Sequence, residues 1–398
     1  MRVSVYIFCL ILVFSGCAPK DGSTLDDGSQ LVDIFSIRST DSLISPRSLM
    51  TEVEYIKLKS PEAFYLTDAQ KMLELDGKIL ILDKNKQVLM AYDLGGNFLG
   101  QVGQKGLGPE EYKSATDFAV DLSSRSIFIF SRGEQSILEF NSDLSFRRKS
   151  RINTWAFQMS MLKNQNLAFY SYFEEGNSNI TLFNQKGEVL DSRMAFPKGG
   201  NYEIMDYTGF LVDQYYSYPL SSKIYALGID DSDKEIFNIE FPNQLSEDKK
   251  FEHKEFLNGS AFMVEHILSN FAIGDNGNEL LFYYTYKETG NSGFTLGVKL
   301  ASGEIFGHLN LKHGRKDKSD PFVKLFFIGP YNIPVYSPAS GYYYIATSND
   351  TMDEYFYSDP SKALKEIKSL DSKLYEVLKE SEELENPIIM RFKLKKRL

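Results

Sequence analysis

Four histidines, His253, His266, His308 and His313, are the first candidates for metal or acid–base chemistry in this 398-residue chain. His308 and His313 stand five apart in HLNLKH, on a strand that runs into a loop. Two ligands placed that way cannot share a face as helical metal ligands do. The other two histidines belong to no repeated pattern, so neither a metal site nor a cofactor is expected. The acidic pairs Glu110/Glu111, Glu174/Glu175, Asp230/Asp231 and Glu382/Glu383 are adjacent in sequence. Neighbours in a strand point to opposite faces, so none of these pairs can by itself divide the acid and base roles of glycoside hydrolysis. No Gly-x-Ser-x-Gly turn occurs; NGSAF (258–262) is the nearest approach, and Ser260 reads as a loop residue. No catalytic residue is therefore named. An enzyme, a lyase or hydrolase whose distant acids meet in a channel, stays as the alternative to a binding protein.

Tyrosine is the more suggestive residue. YYSYP (215–219), YYTY (283–286), YYY (342–344) and EYFY (354–357) concentrate a side chain suited to stacking on sugar rings or gripping peptides, and NIPVY (332–336) adds a loop of the same kind. Strand alternation sends half of each cluster into packed interior, so core packing accounts for most of them. The ligand-binding residues cannot be chosen from sequence.

The elements that would position these residues are short strands. KILILD (78–83) and VLMAYD (88–93) flank a turn, and LGGNFLGQVG (94–103) leads into a third strand. Forty-eight residues on, SIFIFS (126–131), SILEFN (136–141) and Phe146 repeat the pattern without a gap. Further copies are NLAFYSYF (166–173) with NITLFNQKGEVLDSR (179–193), and SKIYALGI (222–229) with KEIFNIEF (234–241). A fifth is ELLFYYTY (279–286) with FTLGVKLASGEIFGHL (294–309). A sixth begins at GYYYIATS (341–348) and ends in the terminal PIIMRFKL (387–394). Repeats of roughly fifty residues, each a small antiparallel meander, are blades of a propeller. The fold class is all-β, a six-bladed β-propeller over 51–398 with one C-terminal helical insertion before the last strand. That insertion, 361–385, carries apolar Ala363, Leu364, Ile367, Leu370, Leu374, Val377 and Leu378 on one helical face between Pro360 and Pro387. It reads as one helix packed along the flank of the ring or over one of its mouths, or as a docking helix for a partner protein.

Between the first two repeats lies GQKGLGPEEY (103–112). A phosphate-cradling loop would continue Gly-Lys-Ser/Thr into a helix; here a strand-type run, TDFAVDL, follows. The loop reads as a link between blades, with Gly103, Gly106 and Gly108 supplying backbone freedom and Tyr112 re-entering packed surface.

The amino terminus gives an address. Val3–Phe14 is a continuous apolar run after Arg2, too short for a permanent span and proportioned as a signal-peptide core. Phe14-Ser15-Gly16-Cys17 resembles a bacterial lipobox, although leucine is usual where Phe14 stands. Residues 1–16 would be removed, Cys17 would carry the lipid, and 17–50, polar and rich in Gly, Ser and Asp, would form a flexible tether. The one other cysteine, Cys9, lies in the discarded segment, which leaves no disulfide and no cysteine metal site. With 44 basic against 54 acidic residues, the surface should repel nucleic acid.

Residues 99–140, LGQVGQKGLGPEEYKSATDFAVDLSSRSIFIFSRGEQSILEF, resemble an NHL-type repeat. Together with the lipobox, the helical insertion and the closing NPIIMRFKLK, the chain resembles the six-bladed propeller lipoproteins of anaerobic Gram-negative bacteria. The resemblance implies an outer-membrane lipoprotein facing the periplasm or the cell surface. NHL-type propellers include amidating lyases with metal-binding histidines, and no motif here carries that chemistry over. The expectation is a lipid-tethered, non-catalytic binding or scaffold module for a glycan, peptide or partner protein.

Overall fold

Alternation along the strands builds the molecule. In GYYYIATS, Tyr343 and Ile345 point to one side of their sheet, and Tyr344 and Ala346 to the other. Each side meets a different neighbouring sheet, so both are buried, and each large side chain so covered is worth about 1.5–3 kcal/mol. The computed structural model describes residues 28–34, 45–171, 178–195, 210–218, 221–228, 232–241, 268–288, 291–311, 321–327, 332–347, 359–379 and 386–398.

Two strands precede the repeats, β1 (Gln30–Asp33) and β2 (Met50–Lys57). The first blade is β3 (Ala69–Leu75), β4 (Lys78–Asp83), β5 (Val88–Asp93) and β6 (Phe98–Gln101). The second is β7 (Asp117–Asp121), β8 (Ser126–Ser131), β9 (Ser136–Asn141) and β10 (Phe146–Arg151). The third runs β11 (Gln158–Met161), β12 (Leu167–Tyr170), β13 (Ser178–Phe183), β14 (Val189–Ala195). The fourth is β15 (Phe210–Val212), β16 (Tyr215–Ser217), β17 (Lys223–Ala226), β18 (Lys234–Glu240), and the fifth is β19 (Leu268–Gly274), β20 (Glu279–Glu288), β21 (Asn291–Lys299), β22 (Ile305–Leu311). The sixth is made from both ends of the chain: β23 (Val335–Ser337), β24 (Tyr342–Ala346), β25 (Ile388–Leu394), and then β2 as its outer strand.

Six apolar clusters, one between each pair of neighbouring blades, close the ring. Leu80 and Leu89 meet Phe118 and Ile129; Phe128 and Phe130 meet Phe169; Tyr170 meets Tyr216. Ile224 and Phe237 meet Phe271 and Phe282, Tyr283 meets Tyr343 and Phe392, and Tyr344 meets Met72 and Ile81. The last pair joins the sixth blade to the first. β25 is held between β24 and β2 (Ile345 opposite Met390, Ile56 opposite Ile389), which locks the circle with a strand pairing of opposite chain ends.

The fold class expected from the repeats is the one observed. Three details differ. The fourth repeat was expected on 222–241, which turn out to be the third and fourth strands of their blade; its second strand is the three-residue β16, too short to show alternation. The single long helix is two, α2 (Pro360–Leu370) and α3 (Ser372–Lys379), following the short α1 (Pro321–Phe326). Asp371 breaks it: Oδ1 accepts from the Lys373 and Leu374 N–H groups and caps α3, while Oδ2 takes Arg47 Nε at 2.6 Å and Tyr55 Oη at 2.8 Å. Ala363, Ile367, Leu374 and Leu378 are buried against the fifth and sixth blades, so the pair lies on the flank of the ring. Residues 380–385 lie outside the described residues. Thirdly, part of the stretch expected as a tether is placed on the ring. β1 adds a parallel fifth strand to the fourth blade, Gln30 opposite Phe237, with Val32 and Ile34 buried.

Candidate functional site

The inner strands β3, β7, β11, β15, β19 and β23 surround the axis, and what they place there is charged. Lys71 on β3 sends its ammonium to both carboxylate oxygens of Asp117 on β7 (3.0 and 3.2 Å) and to the Met159 carbonyl on β11 (2.9 Å). Asp117 also accepts from the Met159 and Phe118 N–H groups (2.6 and 2.8 Å). Blades one, two and three are thus pinned together at the end of the channel where the inner strands begin. At the other end, the turns leaving the inner strands bring up Lys163, Asp213 and Asp275. Asp213 is half-buried among these turns. Burial raises its carboxyl to about 6 against the pull of Lys163 and Lys71. Glu279, near Asp275, is raised to about 7, first by burial, with the Tyr343 hydroxyl at 3.1 Å opposing.

The starts of the inner strands define one face, and the links between blades form its rim. In the 102–116 link Gly103 holds φ +63°, and a side chain there would put Cβ 2.6 Å from the Phe140 ring. Glu111 ties the glycine turn, accepting from the Gly108 N–H and Gln104 Nε2, both at 2.7 Å, and these contacts hold its carboxyl below the usual range. Tyr112 is buried, as expected. The loop is therefore rigid and lifts Leu107 into solvent, 80% exposed. The next link, 152–157, alternates buried Ile152, Thr154 and Ala156 with exposed Asn153, Trp155 and Phe157. Trp155, the one tryptophan in the chain, is 60% exposed and Phe157 is 38% exposed. The β8–β9 hairpin joins the two links: Lys113 N–H donates to Glu134 Oε2 (3.2 Å), Lys149 bridges Glu134 and the Glu111 carbonyl, and Ile152 N–H donates to the Gln135 carbonyl (2.7 Å). Arg132 lies over the Phe157 ring, 4.1 Å from its centre. The two links and the hairpin thus bring exposed Leu107, Asn153, Trp155 and Phe157 and half-buried Arg132 to the same face of the ring, with Glu110 and Lys113 on the first link. Apolar faces and hydrogen-bonding groups side by side suit a ligand with both flat apolar faces and hydroxyls.

Of the residues singled out in sequence, few meet. Tyr215, Tyr216, Tyr283, Tyr284, Tyr343 and Tyr344 are core, packed between blades. Tyr336 is half-buried near the axis. His308 lies on the outer strand β22, paired with Leu296. Cys17, Ser260, His253, His266, His313, the pairs Glu174/Glu175, Asp230/Asp231 and Glu382/Glu383, and EYFY lie outside the described residues. Among the described residues no group of three His, Cys, Asp or Glu side chains could hold a metal ion. No helix among them is long and apolar enough to cross a membrane. Trp155 and Arg132 were not foreseen as site residues. The signal was present in RINTWAF (151–157), where large residues alternate without a strand's turn residues around them.

Ring closure through both chain ends, with a helix pair carried on the last blade, defines a six-bladed β-propeller. The chain belongs to the DUF4934 family, a domain of unknown function, whose family pattern it matches over residues 31–393. No curated protein matches it. A structure of a protein from Bacteroides fragilis NCTC 9343, described as exported, is similar over 92% of this chain and 99% of its own, at 18% identity and a TM-score of 0.66. A member of the DUF4221 family from Bacteroides vulgatus ATCC 8482 is similar over 87% of this chain and 97% of its own, at 12% identity and a TM-score of 0.54. Likeness at these identities shows the fold. The lipid anchor and the NHL-type naming rest on the sequence.

Proposed function

We propose that the chain is a lipid-anchored, extracytoplasmic propeller that binds a glycan on the rim of Leu107, Arg132, Trp155 and Phe157 and catalyses no reaction on it. One observation carries this reading. Among the aromatic side chains whose exposure is described, Trp155 and Phe157 alone stand exposed while the rest are buried or half-buried, and both lie on a link tied by backbone hydrogen bonds to the neighbouring strands. An indole face stacks on a sugar ring at little entropic cost, and exposed Asn153, Glu110 and Lys113 on the same links offer polar groups to hydroxyls. The address draws on the apolar Val3–Phe14 run, on Cys17, and on the description of the Bacteroides fragilis relative as exported. Lipidation at Cys17 would hold the protein at the outer membrane, facing the periplasm or the cell surface. The acidic balance of the chain argues against a nucleic-acid ligand.

A glycan and peptide array probed with the Cys17→Ser chain, beside the same chain carrying Trp155→Ala, tests the proposal. Glycan signals that vanish in the variant support it. A peptide signal lost in the same way would reassign the rim to peptides, and signals indifferent to Trp155 would reject it. The alternative, a channel-sited lyase or hydrolase, draws on Asp213 and Glu279, two carboxyls raised toward neutrality at one end of the axis. It requires turnover that Asp213→Asn abolishes while binding at the rim survives.

A further inference from the structure

We propose that the flank of the sixth blade carries a second ligand site, a pocket of about 390 Å³ that takes a single-chain alkyl carboxylate. The proposal stands apart from the rim. The pocket is framed by the 3-10 turn Pro46–Leu49, by α1, and by α2 and α3, with Lys395 closing it beyond β25. Met50, Phe322, Ile367 and Leu374 form a buried apolar floor, and Leu370 stands at the edge, 51% exposed. Such a lining accepts a hydrocarbon chain.

The polar wall selects its head. Asp371 is already committed, with one oxygen on the α3 cap and the other on Arg47 and Tyr55. Arg47 meets it through Nε and also interacts with the Tyr55 hydroxyl, and among the described residues no other side chain takes the remaining guanidinium donors. The Lys395 backbone N–H donates to the Leu49 carbonyl at 2.8 Å, which sets its side chain beside the turn that bears Arg47. No described carboxylate lies within ion-pair range of the Lys395 ammonium. Two cations against one spent carboxylate make this wall positive in a chain of net charge −10. An apolar chain ending in an anion complements both halves. The volume sits at the low end of the roughly 300–1,000 Å³ usual for small-molecule pockets, enough for one alkyl chain and too little for the two of a phospholipid.

Calorimetric titration of the Cys17→Ser chain with decanoate, decanol and decyltrimethylammonium tests this. Decanoate should bind, and the neutral and cationic analogues should bind at least about tenfold more weakly, the equivalent of one charge-assisted contact. Lys395→Glu, at a half-buried position, and Leu370→Asp, at an exposed one, should each weaken decanoate by a similar factor while leaving the thermal midpoint in place. Absence of decanoate binding would overturn the proposal. So would equal binding of all three amphiphiles, indifference to both variants, or a preference for phosphatidylglycerol vesicles over decanoate.

Discussion

Replacing Lys71 by Met should loosen the ring at its axis, and the cost can be worked from the contacts. The Lys71 side chain is 22% exposed and that of Asp117 8%, so the pair is largely desolvated and salt screens it little. Losing one partner of a fully buried pair costs about 3–5 kcal/mol. Here Asp117 keeps two backbone N–H donors, from Phe118 and Met159, and the Lys71 side chain is not fully buried, which lowers the expectation to about 2–3 kcal/mol. Domains of 150–250 residues lose about 2–4 °C per kcal/mol; the larger ring belongs at the low end, so a fall of about 4–6 °C is expected. Asp117→Asn should cost a similar amount, because it faces the ammonium with a neutral amide. The double variant should be more stable than the two single losses summed, by about 1–2 kcal/mol of coupling. Urea denaturation of the four proteins gives the cycle. Single losses below about 0.5 kcal/mol, or strict additivity, would show that the axis is not held by this pair.

Gly103→Ala should destabilise the first link, since a left-handed backbone and a Cβ 2.6 Å from the Phe140 ring both oppose it; a loss of about 2 kcal/mol in thermal or urea unfolding is expected. Gly133→Ala, which meets nothing within 4 Å, is the matched control and should be nearly silent. Glu279 gives a pH dependence. Its carboxyl rises from an ordinary 4.5 to about 7 in the fold, so its contribution is fully present below pH 4.5 and is lost as pH rises through 7. The Glu279→Gln variant should therefore gain stability relative to the parent between pH 5 and 8, and a constant difference across that range would contradict the burial argument.

Much of the architecture could be read because alternation writes itself into sequence. KILILD/VLMAYD and SIFIFS/SILEFN are second and third strands, buried on both faces, and their apolar runs repeat at a fixed offset. Inner strands such as β15 and β23 are three residues long, and a three-residue strand has no period to detect. β1 was hidden for another reason. QLVD lies in a polar stretch, and only pairing with β18, two hundred residues away, makes it a strand. Asp371 looked like one more polar residue on a helical face until Arg47 and Tyr55 reached it from the other end of the chain. The tyrosine clusters misdirected attention from the rim, because composition cannot separate a ring between two blades from one in solvent. Trp155 differs from them only in lying on a link whose buried positions are the residues beside it.

Because Trp155 is the one tryptophan and is exposed, its own fluorescence is the most direct test of the rim. Titrating the Cys17→Ser chain with the oligosaccharides that score highest on the array should shift its emission to the blue and shield it from acrylamide, with saturation at one site. Saturable binding of those sugars with no change in emission or quenching would place the ligand elsewhere and contradict the account.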